Sequence, residues 1–206
     1  MFAHRVDPED QARADFYALL ARLYRAAPDA ELLAAIAAAD ELTVASGAEH
    51  GDALAGAWRD LLAASSVMDP EAATEEYQSL FIGVGRSEVS LHGSAYAKAA
   101  GGGPLLVQVR EGLAGLELAR LPESTVIEDH LAVLLETMRA LILGTGRVQP
   151  LSIDRQREFF NMNIAPWVTQ CCNAIRAKGV ANYYVRVAQL TSDFAAIERD
   201  SFAIER

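Results

Sequence analysis

Three places in this 206-residue chain gather side chains that could do chemistry. The first is Glu128-Asp129-His130, two carboxylates and an imidazole directly before a long apolar run. A carboxylate beside a titratable imidazole at a helix entrance can bind a polar ligand. The same three residues also read as an ordinary first turn, with acids favoured by the helix dipole and Asp129 as the cap. Both readings stand on the sequence. The second place is Gly83-Val84-Gly85. A phosphate loop requires a Lys-Ser/Thr pair, and a dinucleotide site requires a preceding strand. Neither is present, so a helix end turning into a loop explains these glycines better. The third is Cys171-Cys172. Adjacent cysteines suit neither an ordinary disulfide nor half a zinc site. They read as two small helix residues, at least one of them buried.

The four histidines, His4, His50, His92 and His130, lie far apart, and none shows the paired spacing of a zinc enzyme. There is no Gly-x-Ser-x-Gly elbow and no local Cys-His pairing. The sequence therefore assigns no catalytic residue, no metal ligand and no cofactor, and the expectation is a protein that is not an enzyme.

The formal net charge is -10. That argues against nucleic acid, whose phosphates require a basic surface, and against an anionic membrane. A cationic partner fits the sign. Residues 1–10 have no basic region followed by an apolar one, so they do not read as an export signal. No uncharged apolar run reaches the ~18 residues needed to span a bilayer. With its free cysteines, the chain is expected to be cytoplasmic.

The elements that must position these residues all read as helices. Asp7-Pro8 is a start signal, and Phe16, Leu19, Leu20, Leu23 and Tyr24 recur on one helical face. Pro28-Asp29 opens a second helix to about Ala39, a third spans about 51–65, and Asp69-Pro70 opens a fourth ending in Tyr77, Leu80 and Phe81. Glycines from Gly83 to Gly103 break the pattern, leaving room for a short helix near 94–100 and another at 105–113. Residues 121–125 look like an ordered linker. Leu131, Leu134, Leu135, Met138, Leu141 and Ile142 form the broadest apolar stripe, stopped by Gly144-Thr145-Gly146. A helix from Ser152, bent near Pro166, and a last one at about 182–202 complete the chain. Nothing alternates with period two. The expectation is an all-α protein, one helical-bundle domain over residues 1–206, with a candidate hinge at 101–126.

The order of these features resembles the TorD/DmsD family. Glu76-Tyr77-Gln78-Ser79-Leu80-Phe81-Ile82-Gly83 is similar to the family's aromatic-x-x-Leu-Phe-x-Gly segment. Ser90 to Tyr96 is similar to the loop that follows it, Glu128 to Ala132 resembles the Pro-x-Asp-His segment, and Phe159-Phe160 with Pro166-Trp167 resembles the later aromatic and Pro-Trp elements. The chain departs from the pattern at Ile127, where the family usually has proline, and at His92, where an aromatic or acidic residue is common.

The resemblance implies a cytoplasmic chaperone for a molybdoenzyme precursor of the DMSO reductase type. Such a protein binds the precursor's twin-arginine signal peptide and assists cofactor insertion before export. The implied signal-peptide site is Tyr77, Leu80, Phe81, His92, Tyr96, Glu128, Asp129 and His130. Glu128 or Asp129 would pair with an arginine, and Leu80, Phe81 and Tyr96 would cover the apolar stretch. The implied state is a monomer, with a domain-swapped oligomer as the variant that the hinge would permit. Two alternatives remain: a nitrate-reductase-type assembly chaperone for a subunit that is not exported, and a weak nucleotide-binding or hydrolysing protein using the Gly83 and Gly101 loops.

Overall fold

The protein is all-α. The computed structural model describes residues 7–43, 49–83, 87–98, 102–116, 127–145 and 149–204, and among these are nine α-helices and no strand. Contacts divide the chain into two compact units, each assembled from two stretches: residues 1–22 with 92–166, and residues 23–91 with 167–206. Helix α1 (Pro8–Arg25) runs from the first into the second. It starts as its sequence predicts, with Asp7 accepting the Glu9 N–H at 2.9 Å and acids in the first turn.

The second unit contains α2 (Ala30–Ala37), α3 (Glu49–Val67), α4 (Pro70–Tyr77), α8 (Val168–Arg176) and α9 (Tyr183–Ile204). Asp29 caps α2 through the Leu32 N–H, and Asp69 caps α4 through those of Glu71 and Ala72. Helix α9 packs on α3, α8 and α4, burying Tyr183, Tyr184, Val187, Leu190 and Phe194. Opposite them are Leu54, Trp58 and Leu61 of α3 and Cys171, Cys172 and Ile175 of α8. Both thiols are buried and neither forms a disulfide, and burial pushes the Cys172 thiol far above its usual range.

Two helix ends in this unit are completed by side chains from elsewhere. The first N–H groups of a helix and its last C=O groups have no partner inside the helix. At the start of α9, the Glu76 carboxylate accepts the backbone N–H of Asn182, Tyr183 and Tyr184 at 2.8, 2.9 and 2.8 Å. At the end of α1, the Tyr184 hydroxyl donates to the Leu23 carbonyl at 2.9 Å. The Tyr77 hydroxyl donates to those of Tyr24 and Arg25 at 3.2 and 2.9 Å. Adjacent residues of α4 thus cap two other helices.

The first unit contains α5 (Leu105–Gly115), α6 (Leu131–Leu143) and α7 (Ile153–Asn163). Helix α6 buries the whole predicted stripe and stops at Gly144, whose φ of 76° suits glycine. The Gln108 side chain ties α5 to the end of α7 through the Met162 carbonyl and Asn163.

The structure differs from the sequence expectation in two places. The helix from Ser152 breaks rather than bends: α7 ends at Asn163, turns occupy 164–167, and α8 is separate. Pro166 has no N–H to continue the ladder, and Ala165 bonds back to Phe160 instead. Of the helix expected near 94–100, the described residues show one 3₁₀ turn, Gly93–Ala95, and residues 99–100 lie outside the described residues. The helix expected at 105–113 is α5, within the candidate hinge range 101–126. Residues 101 and 117–126 of it lie outside the described residues, as do Val84-Gly85, the linker at 121–125, Gly146 and His4.

If Glu76 closes the start of α9, Glu76→Ala lowers the stability of the folded chain by about 1–3 kcal/mol. Its neighbour Glu75 makes no such contact, so Glu75→Ala is expected to change stability by less than about 0.5 kcal/mol. Urea unfolding checks both, and equal midpoints for the two variants would remove the capping role.

Candidate functional site

The implied binding residues fall into two clusters, one in each unit. In the second unit, α4 runs directly into a π-helical turn, Gln78–Ile82, closed by the Gly83 N–H bonding to the Gln78 carbonyl at 2.9 Å. Gly83 leaves the turn at φ 60°, a left-handed conformation that favours glycine, so it is a helix terminator here. π-Helical turns are rare and often sit at functional sites. Leu80 is fully buried and its carbonyl accepts the Val89 N–H at 2.9 Å. The Phe81 ring meets Tyr184 and Tyr77 edge-on at 5.0 and 5.2 Å, with Tyr24 at 6.4 Å. Burial raises the Tyr77 phenol above its usual pKa, with Arg25 pulling the other way. It stays a neutral donor to the two carbonyls.

Beside this turn is an open groove of about 820 Å³, lined by Tyr77, Gln78, Ser79, Ile82, Arg25 at the end of α1, and Ala26 and Ala27 just after it. A second hollow of about 400 Å³ adjoins it at Ala27 and Thr74. Ile82 is 60% exposed. Of the implied residues in this unit, Tyr77 lines the groove, Leu80 is buried and Phe81 packs among the tyrosines, while Ile82, which the resemblance does not single out, presents apolar surface.

In the first unit, the Asp129 side chain is only 2% exposed. Its Oδ1 is 3.0 Å from His92 Nδ1, its Oδ2 accepts the Ser94 N–H at 3.0 Å, and its backbone carbonyl accepts the Gly93 N–H at 2.9 Å. Asp129 thus clamps residues 92–94 to the start of α6. It is not the cap of α6. With its carboxylate drawn to the loop, His130 takes that place, its Nδ1 accepting the Ala132 N–H at 3.2 Å. An Nδ1 that accepts a hydrogen bond is unprotonated, whereas His92 Nδ1, facing a carboxylate, carries its proton. The two imidazoles lie 5.0 Å apart, edge to face. Burial favours the neutral Asp129 carboxyl, but the hydrogen bonds from His92 and Ser94 outweigh it and bring its pKa down to about 2. Glu128 forms an ion pair with Arg110 of α5 at 3.1 Å. Tyr96, half-buried, closes the 3₁₀ turn through its N–H to the Gly93 carbonyl at 2.9 Å.

Sequence reasoning did not single out Glu76, Tyr184, Ser94 or Arg110. Glu76 sits inside the quoted motif and Tyr184 in an aromatic doublet, so both were visible. What they bond to is set by tertiary contacts of long sequence separation.

Among the described residues, no group of three or more His, Cys, Asp or Glu side chains could hold a metal ion. No helix among them is long and apolar enough to cross a membrane. The chain belongs to the nitrate reductase delta subunit family, whose model matches residues 48–173, from the start of α3 into α8. This is a family of assembly chaperones that bind molybdoenzyme subunits, and it includes the TorD/DmsD type. No match was found among curated proteins.

The Asp129 clamp carries a pH signature. Its folded pKa of about 2 lies below the ordinary 3.8, so the unfolded chain takes up the proton first. The contribution, on the order of 2 kcal/mol, is complete above about pH 4 and is lost as pH falls through about 2. Asp129→Asn is expected to lower stability at neutral pH and to flatten the acid limb of an unfolding curve between pH 4 and 2. An unchanged acid limb in the variant would contradict the clamp.

Proposed function

We propose that the chain is a cytoplasmic chaperone that binds the twin-arginine signal peptide of a molybdoenzyme precursor of the DMSO reductase type. It holds the precursor back from export while the cofactor is inserted. The observation that carries this reading is the motif segment 76–83. Its aromatic and capping residues are committed to the fold, and it presents Ile82 beside an open groove. A twin-arginine leader combines a cationic end with an apolar stretch. The groove suits the apolar stretch, and Glu128 in the first unit suits a guanidinium. The net charge of -10 attracts the cationic end over distance.

In this reading the eight implied residues do different work. Glu128, His92 and Tyr96 face the peptide, while Asp129 and His130 hold the loop and helix start that position them. Tyr77, Leu80 and Phe81 hold the groove wall. Removing a few hundred Å² of apolar surface from water contributes several kcal/mol gross, at about 25 cal/mol per Å². Ordering a flexible peptide offsets much of it, which places the affinity near micromolar.

Titration of the purified chain with a twin-arginine leader at low salt tests this directly. The expected result is micromolar binding that weakens with added salt and falls at least about tenfold when both arginines become alanine. Absence of binding at low salt would overturn the client class.

A second reading is favoured by the family description itself, a nitrate reductase subunit. Here the client is a molybdoenzyme subunit that is not exported. Capture of the partner from anaerobically respiring cells separates the two: a cleavable leader on the captured subunit supports the first reading, and a subunit without one supports the second.

A further inference from the structure

Among the described residues, the wall of the groove beside the π-helical turn contains one carboxylate, Glu88. Its main chain is held by the motif segment, because the neighbouring Val89 is buried and its N–H bonds to the Leu80 carbonyl at 2.9 Å. The Glu88 side chain stays in solvent, 55% exposed, with Oε2 2.8 Å from Lys178 Nζ. Among the described residues, Lys178 is its one hydrogen-bond and ion-pair partner. Lys178 comes from the turn between α8 and α9, and that turn is held at both ends. The Lys178 N–H bonds to the Ile175 carbonyl and the Ala181 N–H to the Lys178 carbonyl, each at 3.0 Å. Glu76 caps the residues that follow. The Lys178 side chain, 34% exposed, carries its ammonium on a flexible stem. Two fixed stretches of backbone, both in the second unit, therefore present a solvated ion pair at the groove.

We propose that Glu88 is a guanidinium subsite of the groove and that Lys178 is a placeholder in it, displaced by an arginine of the client leader. This rests on the reading of the chain as a binder of arginine-bearing leaders, and it adds a residue of the groove itself that reads the arginine. Charge complementarity selects the occupant. The charged residues described in the groove wall are Glu88 and Arg25, of opposite sign. Arg25 lies by Tyr77, which donates to its carbonyl, and Glu88 lies by Leu80, which bonds to its neighbour. A cation is therefore received at the Glu88 end and repelled at the Arg25 end, with exposed Ile82 in the same wall for the apolar stretch. A lysine meets a carboxylate as a point charge, whereas a guanidinium presents two parallel N–H groups that match both oxygens. An exposed lysine–glutamate pair contributes little, so it opens readily to the stronger partner.

The full chain and its variants are titrated with three leaders that differ only at the two arginine positions, which carry arginine, lysine or alanine. Wild type is expected to bind the arginine leader about three- to tenfold more tightly than the lysine leader. Glu88→Gln is expected to weaken the arginine leader about tenfold and to change the alanine leader by less than about twofold. Lys178→Gln is expected to tighten the arginine and lysine leaders by the same factor, about two- to fivefold, because each displaces the same placeholder. The alanine leader, which displaces nothing, stays as it was. In the Glu88→Gln background, Lys178→Gln is expected to change the arginine leader by less than about twofold. Both side chains lie at the surface, so the thermal melt of each variant is expected to match wild type. Equal wild-type affinity for the arginine and lysine leaders would overturn the proposal, as would a Glu88→Gln loss of the same size for the alanine leader. So would a Lys178→Gln gain that is absent, or that persists without Glu88. A wild-type chain that binds none of the three leaders overturns the underlying reading and the proposal with it, a result distinct from the others.

Discussion

A backbone group at a buried helix end must find a partner, because leaving it unpaired away from water costs as much as a lost hydrogen bond. In the second unit that requirement is met at two helix ends by two consecutive residues. Glu76 closes the start of α9, and Tyr77, with Tyr184, closes the end of α1. The direction of α4 is thereby fixed, and the π-helical turn that follows it has one available place. Phe81 then packs among Tyr77, Tyr184 and Tyr24, and Leu80 fills the interior. What remains for the surface is Ile82, at the rim of the groove.

The first unit solves a similar problem with one carboxylate. Asp129 gathers the His92 ring, the Ser94 N–H and, through its main chain, the Gly93 N–H. A loop whose own regular structure is a single 3₁₀ turn is thus held by its neighbour. The cost is that this carboxylate, almost fully buried, has no exposed oxygen to offer a ligand. Glu128 beside it pairs with Arg110 of α5 instead. A motif that reads as a pair of equivalent acids therefore divides into one that holds the loop and one that pairs with α5.

Much of this was legible in the sequence. The apolar stripe of α6, the Asp-Pro start of α4 and the Pro8 start of α1 follow from periodicity and capping chemistry, which are local. The ordered motifs 76–83, 90–96 and 128–132 were enough to place the chain among the molybdoenzyme chaperones. Local patterns could not say what the motif residues bond to. Glu76 reaches residues 182–184, and Asp129 reaches 92–94, across stretches that only tertiary packing brings together. The cap of α6 shows the limit well: Asp129 is the better capping residue by type, yet a distant imidazole and amide outcompete the local N–H, and His130 takes the position. The break at Pro166 was read as a bend because sequence alone does not reveal that the chain passes there from one compact unit to the other.

The account depends on the client peptide reaching the surface that residues 76–83 hold in place and the loop that Asp129 clamps. Backbone amide NMR of the chain, titrated with a twin-arginine leader, tests that most directly. Shifts concentrated at Thr74 to Gly83 and at His92 to Tyr96 are the result this account requires. A leader that binds while leaving both segments unshifted would contradict it.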